Sequence, residues 1–428
     1  MSSRWRLFQL LLLAASTWAV TYARYALGPL QEAIRVDLAL TDNQMAWLQG
    51  PALALPMALG AIPFGLYVDR FPRAPLFLAG AGLILAATVA SAFAPSYPFL
   101  IAARCVVGLA FAAVIVAAYS AVADLYAVAQ RGRATMVVCM GEITAPPAAF
   151  AVGGVLLTLV VVGQEGWRSA LLWMCTPLLF AALLLLLLRE LPRTDVVVEN
   201  APLRVAWRGL WGYRGVVVPL MFARIMVWIA DGAVVVWAIP SFARSFAMQP
   251  ERVSVIMASA LLVCGVLGPV LGGPLADICQ RSGGPRRTVT ALLVLAVLSV
   301  PAALFAIMPN ASVAGMVLTL FLTLGATFGV AAMTLATIVI PGELRGLYVA
   351  VSVVAGATFS IGLAPVVVSA LSAVLGGPAR IGLALAIVCG STTLISVVAL
   401  GWGRRYFPSA GGRSSPPATA YFTMGRED

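Results

Sequence analysis

The sequence predicts an all-α integral membrane protein: twelve transmembrane helices in two pseudo-symmetric six-helix bundles. Three observations lead there. Of 428 residues, 62% are hydrophobic and only 10% charged, with a mean hydropathy of +1.01. A soluble domain of this length has no use for so much apolar surface, so lipid is the solvent that fits. Twelve apolar segments reach the roughly 20 residues a helix needs to cross a bilayer. A motif in the first half also returns, degraded, about half a chain later.

The segments cover approximately 7–30, 46–68, 75–94, 97–122, 134–162, 167–188, 216–242, 253–275, 288–308, 312–340, 346–375 and 379–402. Arg4-Trp5-Arg6 before Leu7 resembles the start of a signal peptide. The apolar stretch that follows is too long for a signal core, so it reads as an uncleaved first helix. Residues 189–215 hold five arginines and three acids (Glu190, Asp195, Glu199). They read as a cytoplasmic linker between bundles at 1–188 and 216–402. Residues 403–428, rich in Ser, Gly and Pro, read as a disordered cytoplasmic tail.

Lys and His are absent, so all 27 basic residues are Arg and the formal charge is +11. Most of these arginines fall on one side if the N-terminus is cytoplasmic; Arg35, Arg168, Arg244, Arg252 and Arg380 fall on the other. That asymmetry predicts a multi-pass protein of a bacterial inner membrane with both termini in the cytoplasm. Arginines confined to short loops argue against nucleic-acid binding. Without His or Lys there is no imidazole or Schiff-base chemistry. No GxSxG, metal-ligand cluster or GxxxxGK[ST] loop occurs, so no enzyme, cofactor or metal is expected. The lack of a sizeable extramembrane domain argues against a receptor. Cys105, Cys139, Cys175, Cys264, Cys279 and Cys389 form no CxxC pair. Five lie in apolar runs and Cys279 in a predicted loop; they read as small buried hydrophobes.

The repeated motif is Gly65-Leu66-Tyr67-Val68-Asp69-Arg70, echoed by Gly273-Pro274-Leu275-Ala276-Asp277. The offset is 277 − 69 = 208. Gly60 and Gly268 match at the same offset, and Arg131-Gly132 matches Arg345-Gly346 at 214. Duplicated halves of this kind typify secondary transporters. Gly65 lets a facing helix approach, and Asp69 at a helix end can meet another helix N-terminus and pair with Arg70 or Arg73. Gly65, Asp69, Arg70 and Arg73 are therefore gating candidates, with Asp277 and Arg281 as the weaker copy. The plainer alternative is that these arginines only set topology.

The Gly65-x-x-x-Asp69-Arg70-x-x-Arg73 loop, Arg104-Cys105-Val106-Val107-Gly108 in span four and Gly166-Trp167-Arg168 resemble the major facilitator superfamily of secondary transporters. The stretch 40–52 looks like that family's Spinster-type branch. This chain has Ala23-Arg24 where the branch has an Asp-Arg pair, and Phe111 where it has a Glu. The resemblance implies alternating access around a central cavity lined by spans one, four and seven.

Five charges lie within spans: Arg24, Arg104, Glu142, Arg224 and Asp231. Each costs roughly 2.5–3.5 kcal/mol on insertion scales, so each needs a partner or a wet cavity. Asp231 is the repeat counterpart of Ala23, since 231 − 208 = 23. Arg24 and Arg104 are the candidate site for an anionic substrate, with Asp231 pairing an arginine when the site is empty and Tyr22 and Tyr25 lining it. A permanent salt bridge is the plainer alternative. Glu142 and Asp231 are the candidate proton carriers, because without His that role falls to carboxylates. Trp47, Trp167 and Trp402 read as interfacial anchors. The expectation is a monomeric secondary transporter of a small organic anion, working in the lipid bilayer with protons as a candidate coupling ion. Export of hydrophobic or amphipathic compounds is the alternative.

Overall fold

The computed structural model describes residues 3–126, 128–157, 166–188 and 203–407, and every element among them is helical. Eleven helical runs are long and apolar enough to cross a membrane, and Pro51–Arg70 adds an apolar helix of 20 residues. In chain order they are α1 (Arg4–Asp37), α2 (Pro51–Arg70), α3 (Arg73–Ala92), α4 (Tyr97–Val122), α5 (Ala134–Leu156), α6 (Gly166–Leu185), α7 (Arg214–Ser245), α8 (Pro250–Gly283), α9 (Pro285–Ile307), α10 (Ala311–Val339), α11 (Leu347–Val374) and α12 (Pro378–Tyr406). Six precede and six follow a short helix, Leu203–Gly212. The rest of the predicted linker, 189–202, and most of the predicted tail, 408–428, lie outside the described residues.

Several helices outrun their apolar cores. α1 continues past residue 30 to Asp37, and α7 continues to Ser245. Both carry charged residues on helical ends that the hydropathy pattern assigns to loops. α8 reaches Gly283, so Cys279 is helical and not in a loop. α1 breaks at Ala26 into Ser3–Tyr25 and Leu27–Asp37. Pro29 there cannot donate to the Tyr25 carbonyl, which weakens the ladder at that turn. All six cysteines are free.

The chain forms two compact units. The first holds the described residues of Met1–Val196, Val235–Leu262 and Ile361–Ala384; the second holds those of Val197–Val234, Val263–Ser360 and Leu385–Asp428. These divisions cut through α7, α8, α11 and α12 as well as the linker.

Inside the first unit, α2 and α3 pack on α4, and α1 packs on α5. Small residues permit the close crossings. A Cβ at Gly108 would strike the Leu53 carbonyl, and one at Gly141 would lie 2.9 Å from the Ala14 carbonyl oxygen. The core there includes Phe77, Ile84, Val114 and Leu178. Inside the second unit, α9 packs on α10, around a core that includes Leu292, Phe328, Tyr348 and Leu400.

The duplication survives at the level of contacts. A Cβ at Gly60 would lie 2.8 Å from Leu109 of α4; one at Gly268 would lie 2.5 Å from Ala326 of α10. Glycines 208 residues apart thus set the same crossing in each half. Among the described residues, the two non-glycine residues with positive φ are Ala39 (48°) and Ala247 (50°), and 247 − 39 is again 208. Each follows the end of a long helix, where a left-handed residue closes the last turn. α11 contains a π-helical stretch, Gly356–Leu363.

Candidate functional site

Arg24 sits on α1 two residues before the break at Ala26. Its guanidinium carbon lies 5.0 Å from the Tyr25 ring centre and 4.8 Å from that of Phe111. Its Nε is buried without a hydrogen-bond partner, and among the described residues it forms no ion pair. Arg104 of α4 is 2% exposed. Its two terminal nitrogens donate to the Arg24 carbonyl at 3.2 and 3.3 Å. The Arg104 fork is thus occupied by the Arg24 backbone, next to the break at Ala26. Tyr25, the next residue, supplies one of the two rings near the Arg24 cation. Tyr22 does not line a cavity: it is 1% exposed and stacks on Trp18 with ring centres 5.1 Å apart.

Glu142 reaches the same region from α5, carried by the close crossing at Gly141. The Tyr119 hydroxyl donates to Glu142 Oε1 at 3.0 Å and lies 3.3 Å from Cys139 Sγ. Arg24 is within electrostatic reach of the Glu142 carboxylate without contacting it. Two cations and one acid therefore share this part of the first unit. Phe111 was visible in the sequence only as a missing carboxylate; here it is the ring beneath the Arg24 cation.

Asp231 belongs to the second unit. A Cβ on Gly325 of α10 would lie 2.9 Å from Asp231 Oδ1, and Cys264 and Cys389 lie within its electrostatic reach. Among the described residues it forms no ion pair, contrary to the expectation that it joins an arginine. Its helix face turns the carboxylate to the gap left by Gly325. Arg224 lies in the same unit, 4.5 Å above the Trp228 ring, with one terminal nitrogen 3.1 Å from Met333 Sδ.

The Gly-Asp motif is less engaged. Neither Gly65 nor Gly273 has any atom within 4 Å of where a Cβ would stand. The side chains of Asp69 and Arg70 lie outside the described residues. Arg73 pairs with Asp124, on the continuation of the α4 helix to Leu125. Asp277 and Arg281 are exposed and form no ion pair among the described residues.

The densest charge cluster was not foreseen. Arg244, at the end of α7, binds Asp42 through both terminal nitrogens at 2.7 and 2.8 Å, and Glu32 at 2.6 Å. It also donates to the Pro378 carbonyl at 3.4 Å. Arg35 completes the group, 3.1 Å from Glu32. All these residues fall in the first unit. Asp42 opens the helix Asp42–Gln49 behind a Thr41–Gln44 capping box, a Thr-x-x-Gln pattern readable in the sequence. Nearby, Trp167 is buried and donates to Asp37 at 2.9 Å. It is not an interfacial anchor. Arg168 joins it on Asp37 at 2.7 Å. Trp47 and Trp402 are exposed, as anchors would be.

Comparisons with known proteins bear on this arrangement. A bacterial homologue of the human lysosomal transporter Spinster, solved in an inward-facing, unoccupied conformation, matches with a TM-score of 0.80 at 19% identity, covering 100% of both chains. A D-xylose-proton symporter matches with a TM-score of 0.75 at 17% identity, over 97% of this chain and 100% of that one. At these identities the likeness is one of fold. A niacin transporter of Acinetobacter baylyi is 35% identical over 97 residues, 23% of this chain and only 22% of that protein. The Major Facilitator Superfamily profile matches residues 13–237, just over half of the chain. With its all-helical, multi-span fold and its duplicated contacts, the chain belongs to the Major Facilitator Superfamily of transporters.

Proposed function

We propose that this chain is a secondary transporter of a small organic anion, with Arg24 receiving the anionic group. The observation that carries this reading is the state of Arg24: a cation inside a membrane span, flanked by two aromatic rings, with no ion pair among the described residues and a buried Nε lacking a partner. A charge in that position needs a counter-ion. A carboxylate matches the planar guanidinium fork, and the Tyr25 and Phe111 rings offer faces to a flat organic group. Arg104 acts as a positioning residue, holding the Arg24 backbone at the helix break. Glu142 is the proton carrier. An anion arriving at Arg24 adds negative charge beside Glu142 and favours its protonation, so anion and proton move together. The halves 1–188 and 216–402 are the bodies that rock, joined by the 189–215 linker, with both termini cytoplasmic in a bacterial inner membrane. The Arg244 cluster is the contact that closes the outer end.

Niacin, an aromatic carboxylate named for one relative, is the first probe. In proteoliposomes, Arg24→Gln should weaken competition by carboxylates roughly 30-fold or more, as expected when one partner of a buried charge pair costs about 2 kcal/mol or more. Glu142→Gln should keep anion exchange but lose stimulation by a pH gradient. Unchanged anion affinity in Arg24→Gln overturns the substrate assignment; full pH-gradient dependence in Glu142→Gln overturns the coupling.

A further inference from the structure

The second unit carries an apolar cavity of about 240 Å³ that the transport reading does not use. Its walls are Trp207 and Trp211 of the Leu203–Gly212 helix, Met221 and Phe222 of α7, and Tyr348 of α11, with Arg214 at its edge. Trp207, Trp211 and Phe222 are about half exposed (49%, 54% and 45%), so the cavity is an open slot. The helix that forms one wall is amphipathic. Trp207, Leu210 and Trp211 recur at helical spacing on the slot side, and Arg208 lies toward the other. Arg208 and Arg214 are exposed, and among the described residues neither forms an ion pair.

A basic amphipathic helix with tryptophans on its apolar side, next to a span, has the make-up of an element that lies in the membrane interface and meets anionic headgroups. We propose that this slot binds one acidic phospholipid, an acyl chain lying against Trp207, Trp211 and Phe222 and the phosphate meeting Arg208 and Arg214. Charge complementarity picks the acidic lipid: the slot has Arg214 at its edge and no acid among its lining residues, and Arg208 adds a second positive charge from the exposed side of the same helix. A zwitterionic lipid brings its own cation to the same place and gains less.

Tryptophan quenching tests this in nanodiscs holding the full chain, with brominated phosphatidylglycerol or brominated phosphatidylcholine in an unbrominated phosphatidylcholine background. Phosphatidylglycerol should quench more at equal mole fraction, and the excess should vanish in Trp207→Phe/Trp211→Phe. Each of Arg208→Gln and Arg214→Gln should weaken the phosphatidylglycerol preference about fivefold. Equal quenching by the two lipids in the unaltered protein overturns the proposal. So does an excess that persists in the double tryptophan variant, or one that persists in Arg208→Gln/Arg214→Gln.

Discussion

Arg244 is held by Asp42 and Glu32 at one end of the helices, whereas Asp277 and Arg281, near the other end of α8, stand exposed and unpaired among the described residues. The glycines tell the same story. A Cβ on Gly50, at the far end of the helix that Asp42 opens, would lie 3.0 Å from the carbonyl oxygens of Ile361 and Gly362, while Gly65 and Gly273 face open space. The Arg244 cluster is engaged; of the motif residues, Arg73 is held by Asp124, while Gly65, Gly273, Asp277 and Arg281 are open among the described residues. A transporter that works by alternating access needs contacts of both kinds, each made in only one state. The contrast suggests dividing the labour: the Arg244 group closes the predicted outer end, and the Gly-Asp motif acts at the predicted inner end.

The largest expected effect is at the engaged end. Arg244→Gln leaves Glu32 and Asp42, with side chains only 11% and 9% exposed, short of their main cation. Removing one partner from a largely buried pair costs about 3 kcal/mol or more. Spin labels at Val36 and Gln249, both exposed, should then report a longer distance component by pulsed electron resonance. An unchanged distribution would mean the cluster is only structural. A middling effect is expected at Gly65. Gly65→Val has room in the structure described here, so melting should shift by no more than about 2 °C, while transport should fall at least tenfold if the glycine approaches a helix in the other state. Full transport by Gly65→Val would remove the motif from the gate. The smallest effect belongs to Asp277→Asn. With no ion pair to lose, its melting temperature should stay within about 1 °C of the unaltered protein, and a larger drop would reveal an interaction that the comparison misses.

Much of the fold could be read in advance because lipid imposes so blunt a rule. The runs of about 20 apolar residues emerge as helices, and the 208-residue offset seen in Gly65 and Gly273 returns in Gly60 against Gly268 and in the backbone of Ala39 and Ala247. The site was legible in part. Arg24 stood out because a cation inside a span is costly. What Arg24 touches was not legible, since Phe111 comes from a different helix and stood out only where a carboxylate was missing. Tyr22 misled for the same reason: in a membrane protein, core, cavity and lipid faces are all apolar, so helical spacing cannot sort them. Arg244, Glu32 and Asp42 were hidden by distance. They lie 202 and 212 residues apart and each resembles a loop charge that merely fixes topology. The extension of α1 to Asp37 and of α7 to Ser245 is what brings them face to face.

The wide winding of α11 between Gly356 and Leu363 carries an arithmetic of its own. A turn closed by i→i+5 bonds takes in one more residue than an α turn, so side chains beyond it are rotated by about 100° from where an unbroken α-helix would point them. Straightening this stretch to α with its sequence intact would therefore swing Ser369, which now faces Asn43, to another neighbour, whereas deleting a single residue from it would let the stretch relax to α and leave Ser369 where it is.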